Sequence, residues 1–179
     1  MQTAFAAGTL LHLAFVEYGK KVEEMSGGRF KWEVLPAGAI VPAFEVLDAV
    51  HKGVLDAGGW VPAYTVGKHA AASLMGTGPS FGLDADHILG WVYYGGGAEL
   101  YRDLMQKELG FDVESFFFGP MPTQPFGWFK KPVRSVDDVK GIKYRTVGLA
   151  ADLFKEMGAS VVTVPGAEII PALERGVID

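Results

Sequence analysis

A chain of 179 residues is long enough for one large domain or two small lobes without a covalent staple, and its lack of cysteine excludes thiol catalysis, zinc–thiolate centres and iron–sulfur clusters. The net charge of −5 is spread along the chain with no basic run, which argues against nucleic acid as a partner. No uninterrupted apolar run reaches the roughly 20 residues that span a bilayer, and 24 Gly with 12 Phe, 6 Tyr and 4 Trp fit a compact globular protein.

Both ends read as cut. Met1 to Phe5 leads almost directly into a helix with no secretory-type basic and apolar regions, and Asp179 follows a helix-and-turn signal, so the expectation is of a fragment. Thr9 predicts the cap of a helix carrying Leu11, Phe15, Tyr18, Val22 and Met25, ended by Ser26-Gly27-Gly28. Phe30, Trp32 and Val34 alternate with Lys31 and Glu33, which predicts a half-buried strand closing at Leu35-Pro36-Ala37-Gly38. Residues 42–51 read as a second helix, and 53–58 as a turn into a short buried strand. Between Tyr64 and Phe81 a helix and then a loop are expected.

Asp84 or Asp86 caps the next apolar helix, with Ile88, Leu89, Trp91, Val92 and Tyr93; Gly95-Gly96-Gly97 interrupts it, and a further helix runs from about Ala98 to Leu109. The apolar run Val113 to Phe118 predicts a strand buried on both faces. The prolines, glycines and aromatics of 119–141 suggest a crossing between lobes. Lys143 and Arg145 then alternate with Ile142 and Tyr144 as a strand, Leu149 to Met157 form a helix stopped by Gly158, and Val161 to Val164 form another strand, completing a βαβ unit. The class is α/β.

An internal repeat is visible. EVLDAVHKGVLD (45–56) over EIIPALERGVID (168–179) pairs Glu45 with Glu168, Ala49 with Ala172, Gly53 with Gly176, Val54 with Val177 and Asp56 with Asp179, each copy following a strand that ends in Pro with Gly close behind. Chance likeness of amphipathic helices is the plain alternative. Related lobes around a ligand cleft are the reading preferred, with 1–119 as the first, partial lobe and 120–179 as the second.

From AGTLLHLAFVEYGKKVEEMSGGRFKWEVLPAGAIVPAFEVLDAVHKGVLD to KGIKYRTVGLAADLFKEMGASVVTVPGAEIIPALERGVID, the chain resembles the DctP-type solute-binding subunits of tripartite ATP-independent periplasmic (TRAP) transporters. MPTQPFGWFKKP and KYRTVGLA are similar to members that take 2-oxo or 2-hydroxy monocarboxylates such as pyruvate or lactate. The resemblance implies a two-lobed, type II periplasmic-binding-protein-like fold, incomplete here because members are about twice as long. It also implies a periplasmic location, a small carboxylate ligand, small and large membrane subunits as partners, no enzymatic activity and no cofactor beyond a Na+ or Ca2+ ion that accompanies the ligand. A homodimer is a further assembly to consider.

Arg145 is the first candidate for binding. At a strand's C-terminal end in an α/β cleft, its planar fork grips a carboxylate bidentately and does not titrate near pH 7; the alternative is a solvated strand-end charge. Gln124, in a Pro-bracketed turn, is the second, and resemblance to oxo-acid binders implies that its amide oxygen helps to ligate the cation; the alternative is an exposed turn residue. Trp60, Tyr64, Tyr94 and Trp128 are candidate pocket aromatics, of which Trp60 is favoured for following a strand end and Tyr94 for preceding three glycines. A structural or interaction module of the same fold, and an enzyme of hydrolase or lyase type, are the rival classes. Asp84, Asp86 and His87 are the nearest thing to a catalytic group, but Asp before an apolar helix is ordinarily a cap; His12, His51 and His69 lack i,i+4 partners, and Ser73 and Ser80 lie outside any nucleophile elbow.

Overall fold

The computed structural model describes residues 1–76, 82–121 and 124–179. The chain divides into two compact units, one of residues Met1–Val61, Phe111–Val113 and Pro165–Ala167, the other of Pro62–Gly110, Glu114–Val164 and Glu168–Asp179.

In the first unit, β1 (Gln2–Thr3) lies parallel to β2 (Gly58–Gly59), and Leu35 forms a parallel bridge to Gln2 on the other side. Helix α1 (Leu10–Met25) begins where Thr9 Oγ1 accepts the His12 N–H, and ends at Ser26 with Gly27 at φ 63°. Helix α2 (Val46–His51) follows a 3-10 turn over Ala43–Glu45, a tightened start to the single helix expected from 42. Consecutive strand residues face opposite sides, and β2 is glycine because the two helices press on those sides. A Cβ at Gly58 would meet Val46 Cγ1 at 2.5 Å, and one at Gly59 would meet Phe15 Cζ at 2.6 Å.

Gln2 is fully buried. Its Nε2 donates to Val41 O at 2.7 Å, while its Oε1 accepts from the Ile40 and Val41 N–H groups at 2.8 and 3.1 Å. One side chain thereby satisfies three backbone groups of the loop before α2.

Two expected strands are corrected. Trp32 and Val34 do alternate inward, packing near Gly19 of α1, but 30–34 form no regular strand. Here β1 offers a ladder only near 33–35: Met1 N to Glu33 O, Leu35 N to Met1 O and Thr3 N to Leu35 O. Val113 to Phe118 forms no regular strand among the described residues, and Phe116 is 88 % exposed, so it is not buried on both faces. An apolar run becomes a doubly covered strand only where neighbours supply both ladder and cover.

In the second unit, α3 (Ala71–Leu74) follows a 3-10 turn at Pro62–Thr65; the loop expected near 77–81 lies outside the described residues. Asp84 caps α4 (Ala85–Tyr94), left-handed Gly96 (φ 87°) breaks the chain, and α5 (Gly97–Asp103) continues as a π-type turn over Leu104–Glu108. The βαβ unit is present: β3 (Lys143–Arg145), α6 (Ala150–Glu156) and β4 (Ser160–Val162), with Tyr144 beside Val161 and Arg145 beside Val162 in parallel register.

The repeat is structural as well as textual. Helix α7 (Ile169–Glu174) follows a 3-10 turn at Gly166–Glu168, as α2 follows its own. Gly53 and Gly176 close the two helices at φ 69° and 66°. Ala49 O accepts from the N–H of Val54 and Leu55, and Ala172 O from those of Val177 and Ile178. Among the described residues no helix is long and apolar enough to cross a membrane.

Candidate functional site

Strand β3 carries different chemistry on its two faces, as period-2 geometry requires. Lys143 and Arg145 share one face and Tyr144 the other. Lys143 Nζ donates to Gly176 O at 2.8 Å. Half-buried Arg145 donates from Nε at 2.9 Å and from Nη2 at 2.7 Å to the single carbonyl of Val164, just beyond β4. That two-point tether fixes the guanidinium plane while its outer edge, Nη1 with the far side of Nη2, remains turned away from Val164. Among the described residues no carboxylate pairs with it. An edge of that shape, with coplanar N–H donors, is able to donate two parallel N–H···O bonds to a carboxylate.

Tyr144 is held among rings: its centroid lies 3.9 Å from that of Phe154 in a stack, 6.0 Å from Phe129 and 6.4 Å from Phe126. Its hydroxyl donates to the carbonyl of Phe126. Burial raises its phenol above the ordinary value, opposed in part by the Arg145 charge. A raised folded value stabilises the fold at pH below about 10, the free phenol's own value, and that contribution is lost as pH rises further. Ultraviolet difference titration is expected to show a late tyrosine ionisation step that Tyr144→Phe removes; a late step of unchanged size in Tyr144→Phe would contradict the raised value.

Gln124 belongs to the same unit as Arg145 and is exposed, two residues before Phe126. Tyr94, at the end of α4, is 94 % exposed, and Trp128 is 86 % exposed. Tyr64 is half-buried. Trp60 belongs to the first unit; it is half-buried directly after β2, and its indole N–H is shut off from solvent with no acceptor among the described residues. A donor left in that state costs about 1–3 kcal/mol. A concavity of about 560 Å³ within the second unit is an open depression lined by Phe126, Gly127, Phe129 and the 130–133 segment, and Arg145 does not line it.

The acid–histidine pair is a cap. Asp84 Oδ1 accepts the His87 N–H at 2.9 Å and lies 2.7 Å from its Nδ1, both side chains exposed; the His87 backbone and then its ring hold the Asp84 carboxyl below its ordinary value. Among the described residues no cluster of three His, Asp or Glu side chains forms a metal site. The tethering carbonyl of Val164, the hydroxyl of Tyr144 and the bare Gly127 beside it were not legible as site features. A tyrosine next to the strand-end arginine, with Gly in the neighbouring aromatic turn, was the available signal.

The DctP family, described as bacterial extracellular solute-binding protein family 7, matches residues 1–179. A monocarboxylate 2-oxoacid-binding periplasmic protein of Nostoc sp. is 40% identical over 160 residues, which cover 89% of this chain and 43% of that protein. A TRAP transporter solute-binding protein from Bordetella bronchiseptica, solved with copurified calcium and picolinate bound, superposes with a TM-score of 0.92 at 29% identity, covering 100% of this chain and 52% of that one. One from Pseudoalteromonas atlantica, with bound sodium and pyruvate, gives 0.84 at 30% identity, covering 99% and 53%. The chain thus spans about half the length of the relatives it matches.

Proposed function

Because the chain belongs to bacterial extracellular solute-binding protein family 7, the DctP family, we propose that its parent protein captures a small 2-oxo or 2-hydroxy monocarboxylate in the periplasm and delivers it to the membrane subunits of a TRAP transporter. The observation that carries this reading is the outer guanidinium edge of Arg145, pre-oriented by its tether to Val164 O and unpaired with any carboxylate among the described residues. The 2-oxoacid-binding relative and the pyruvate-bound structure support the choice of ligand.

Arg145 takes the carboxylate. Gln124 contributes an amide oxygen to a sodium or calcium ion that accompanies it, a role its exposure leaves open to solvent-borne ions and which adds no charge of its own. Trp60, half-buried directly after β2, is a further candidate for an apolar face. Tyr94 is the weaker aromatic candidate, standing clear of its own unit. The protein binds and releases its ligand without converting it.

The test is a thermal shift of the full-length protein. Pyruvate or lactate at 100 times its dissociation constant is expected to stabilise it by about 2.7 kcal/mol, and the shift is expected to shrink after chelation and dialysis free of sodium. No shift with any monocarboxylate would favour an interaction module, and chemical turnover of the acid would favour an enzyme.

A further inference from the structure

Turn and strand are joined by a clasp. The hydroxyl of Tyr144 on β3 donates to Phe126 O, two residues beyond Gln124. Phe126 and Phe129 flank the Tyr144 ring, and Phe154 of α6 supports it from beneath. Between those aromatics the chain has Gly127, where a Cβ would come within 2.9 Å of the Phe129 ring and 3.2 Å of Tyr144 Cε2. The turn therefore closes on the tyrosine only because residue 127 has no side chain.

Tyr144 points away from the Arg145 face, so it cannot itself grip a ligand held by that arginine. What it does is fix the backbone of the 124–127 turn against the strand that carries Arg145. We propose that Tyr144 is a positioning residue of the ligand site, its hydroxyl and ring locking the turn that bears Gln124 to the strand that bears Arg145 so that both present to one ligand together. This rests on the assignment of Arg145 and Gln124 as ligand-site residues.

The physical case is one of preorganisation. Gln124 is exposed and sits in a segment without regular structure, so an untethered turn would have to be ordered at the moment of binding, at a cost to affinity. The clasp orders it beforehand. A hydroxyl bonded to a backbone carbonyl holds distance and direction, and a ring wedged between aromatics holds tilt.

The test uses the full-length protein and two variants that disturb the clasp differently. Tyr144→Phe removes the hydroxyl and keeps the stack; Gly127→Ala keeps the hydroxyl and pushes the turn off the ring. Each is expected to weaken pyruvate affinity about fivefold in calorimetry, the worth of one ordinary hydrogen bond. In a Gln124→Ala background both are expected to lose that effect, since the residue they position is gone. A loss of equal size in both backgrounds would mean that Tyr144 acts only on general stability, and no loss in either would mean that the clasp does not position the turn; each overturns the proposal. The underlying assignment fails by a separate sign: Gln124→Ala and Arg145→Lys would then leave affinity unchanged, and the proposal falls with it.

Discussion

Arg145→Lys in the full-length protein is expected to weaken carboxylate binding by roughly 2–5 kcal/mol while the ligand-free protein stays folded. Charge is preserved in this variant, so the loss isolates geometry. Arg145 uses Nε and one side of Nη2 to hold Val164 O and has a second, coplanar edge left for the ligand. A lysine ammonium presents all its donors from one atom. If it serves Val164 it cannot also offer two parallel bonds to a carboxylate, and if it serves the carboxylate it leaves the Val164 carbonyl unsatisfied. Isothermal titration with pyruvate and lactate checks the expectation; affinity within twofold of the parent would show that Arg145 does not hold the acid.

The second large effect lies far from any ligand. Gln2→Leu, similar in bulk and without an amide, is expected to destabilise the protein by about 3 kcal/mol or more, seen as a lower urea midpoint at unchanged slope. Gln2 is completely buried and is the partner of Ile40 N, Val41 N and Val41 O. Leucine leaves those groups to find water or remain bare. Gln2→Glu, at pH values where its carboxyl is protonated, keeps an acceptor for the two N–H groups and an O–H to offer Val41 O, and is expected to fall between parent and Gln2→Leu; ionised, it loses that donor and buries a charge. A Gln2→Leu protein within about 0.5 kcal/mol of the parent, the range of ordinary surface substitutions, would show that the loop satisfies itself another way.

Sequence reading succeeded where a signal and its cause lie within a few residues. Thr9 and Asp84 cap helices through their own side chains, Gly27 ends α1, and the alternation of 142–145 predicts β3 with Arg145 at its end. The repeat was legible for the same reason: an Ala that packs, a Gly that turns left-handed and a Val after it form one local device used twice.

What was not legible depends on distant partners. Gln2 looks like any polar residue near a terminus until loop 40–41 arrives beside it. The short strand before Trp60 was legible, but the reason that β2 must be glycine is not, until Phe15 and Val46 close on it. Residues 113–118 carry the composition of a covered strand, yet composition cannot say whether a ladder partner is at hand. For the site, the residue type and strand position of Arg145 could be read, whereas the carbonyl that orients it lies 19 residues further on.

The discontinuity of the first unit bears on the order of events during synthesis. Its longest piece, Met1–Val61, is made before the pieces that complete it, Phe111–Val113 and Pro165–Ala167, each separated from the preceding piece by a little under half of the second unit's sequence. Each closure spans about fifty residues, an entropic toll that no early contact offsets. The β3–α6–β4 crossover, by contrast, draws on a contiguous stretch and can form as soon as it emerges. The stretch Met1–Val61 is thus completed only after the two longer pieces of the second unit have been made, and until then its unfinished apolar surface is open to a chaperone.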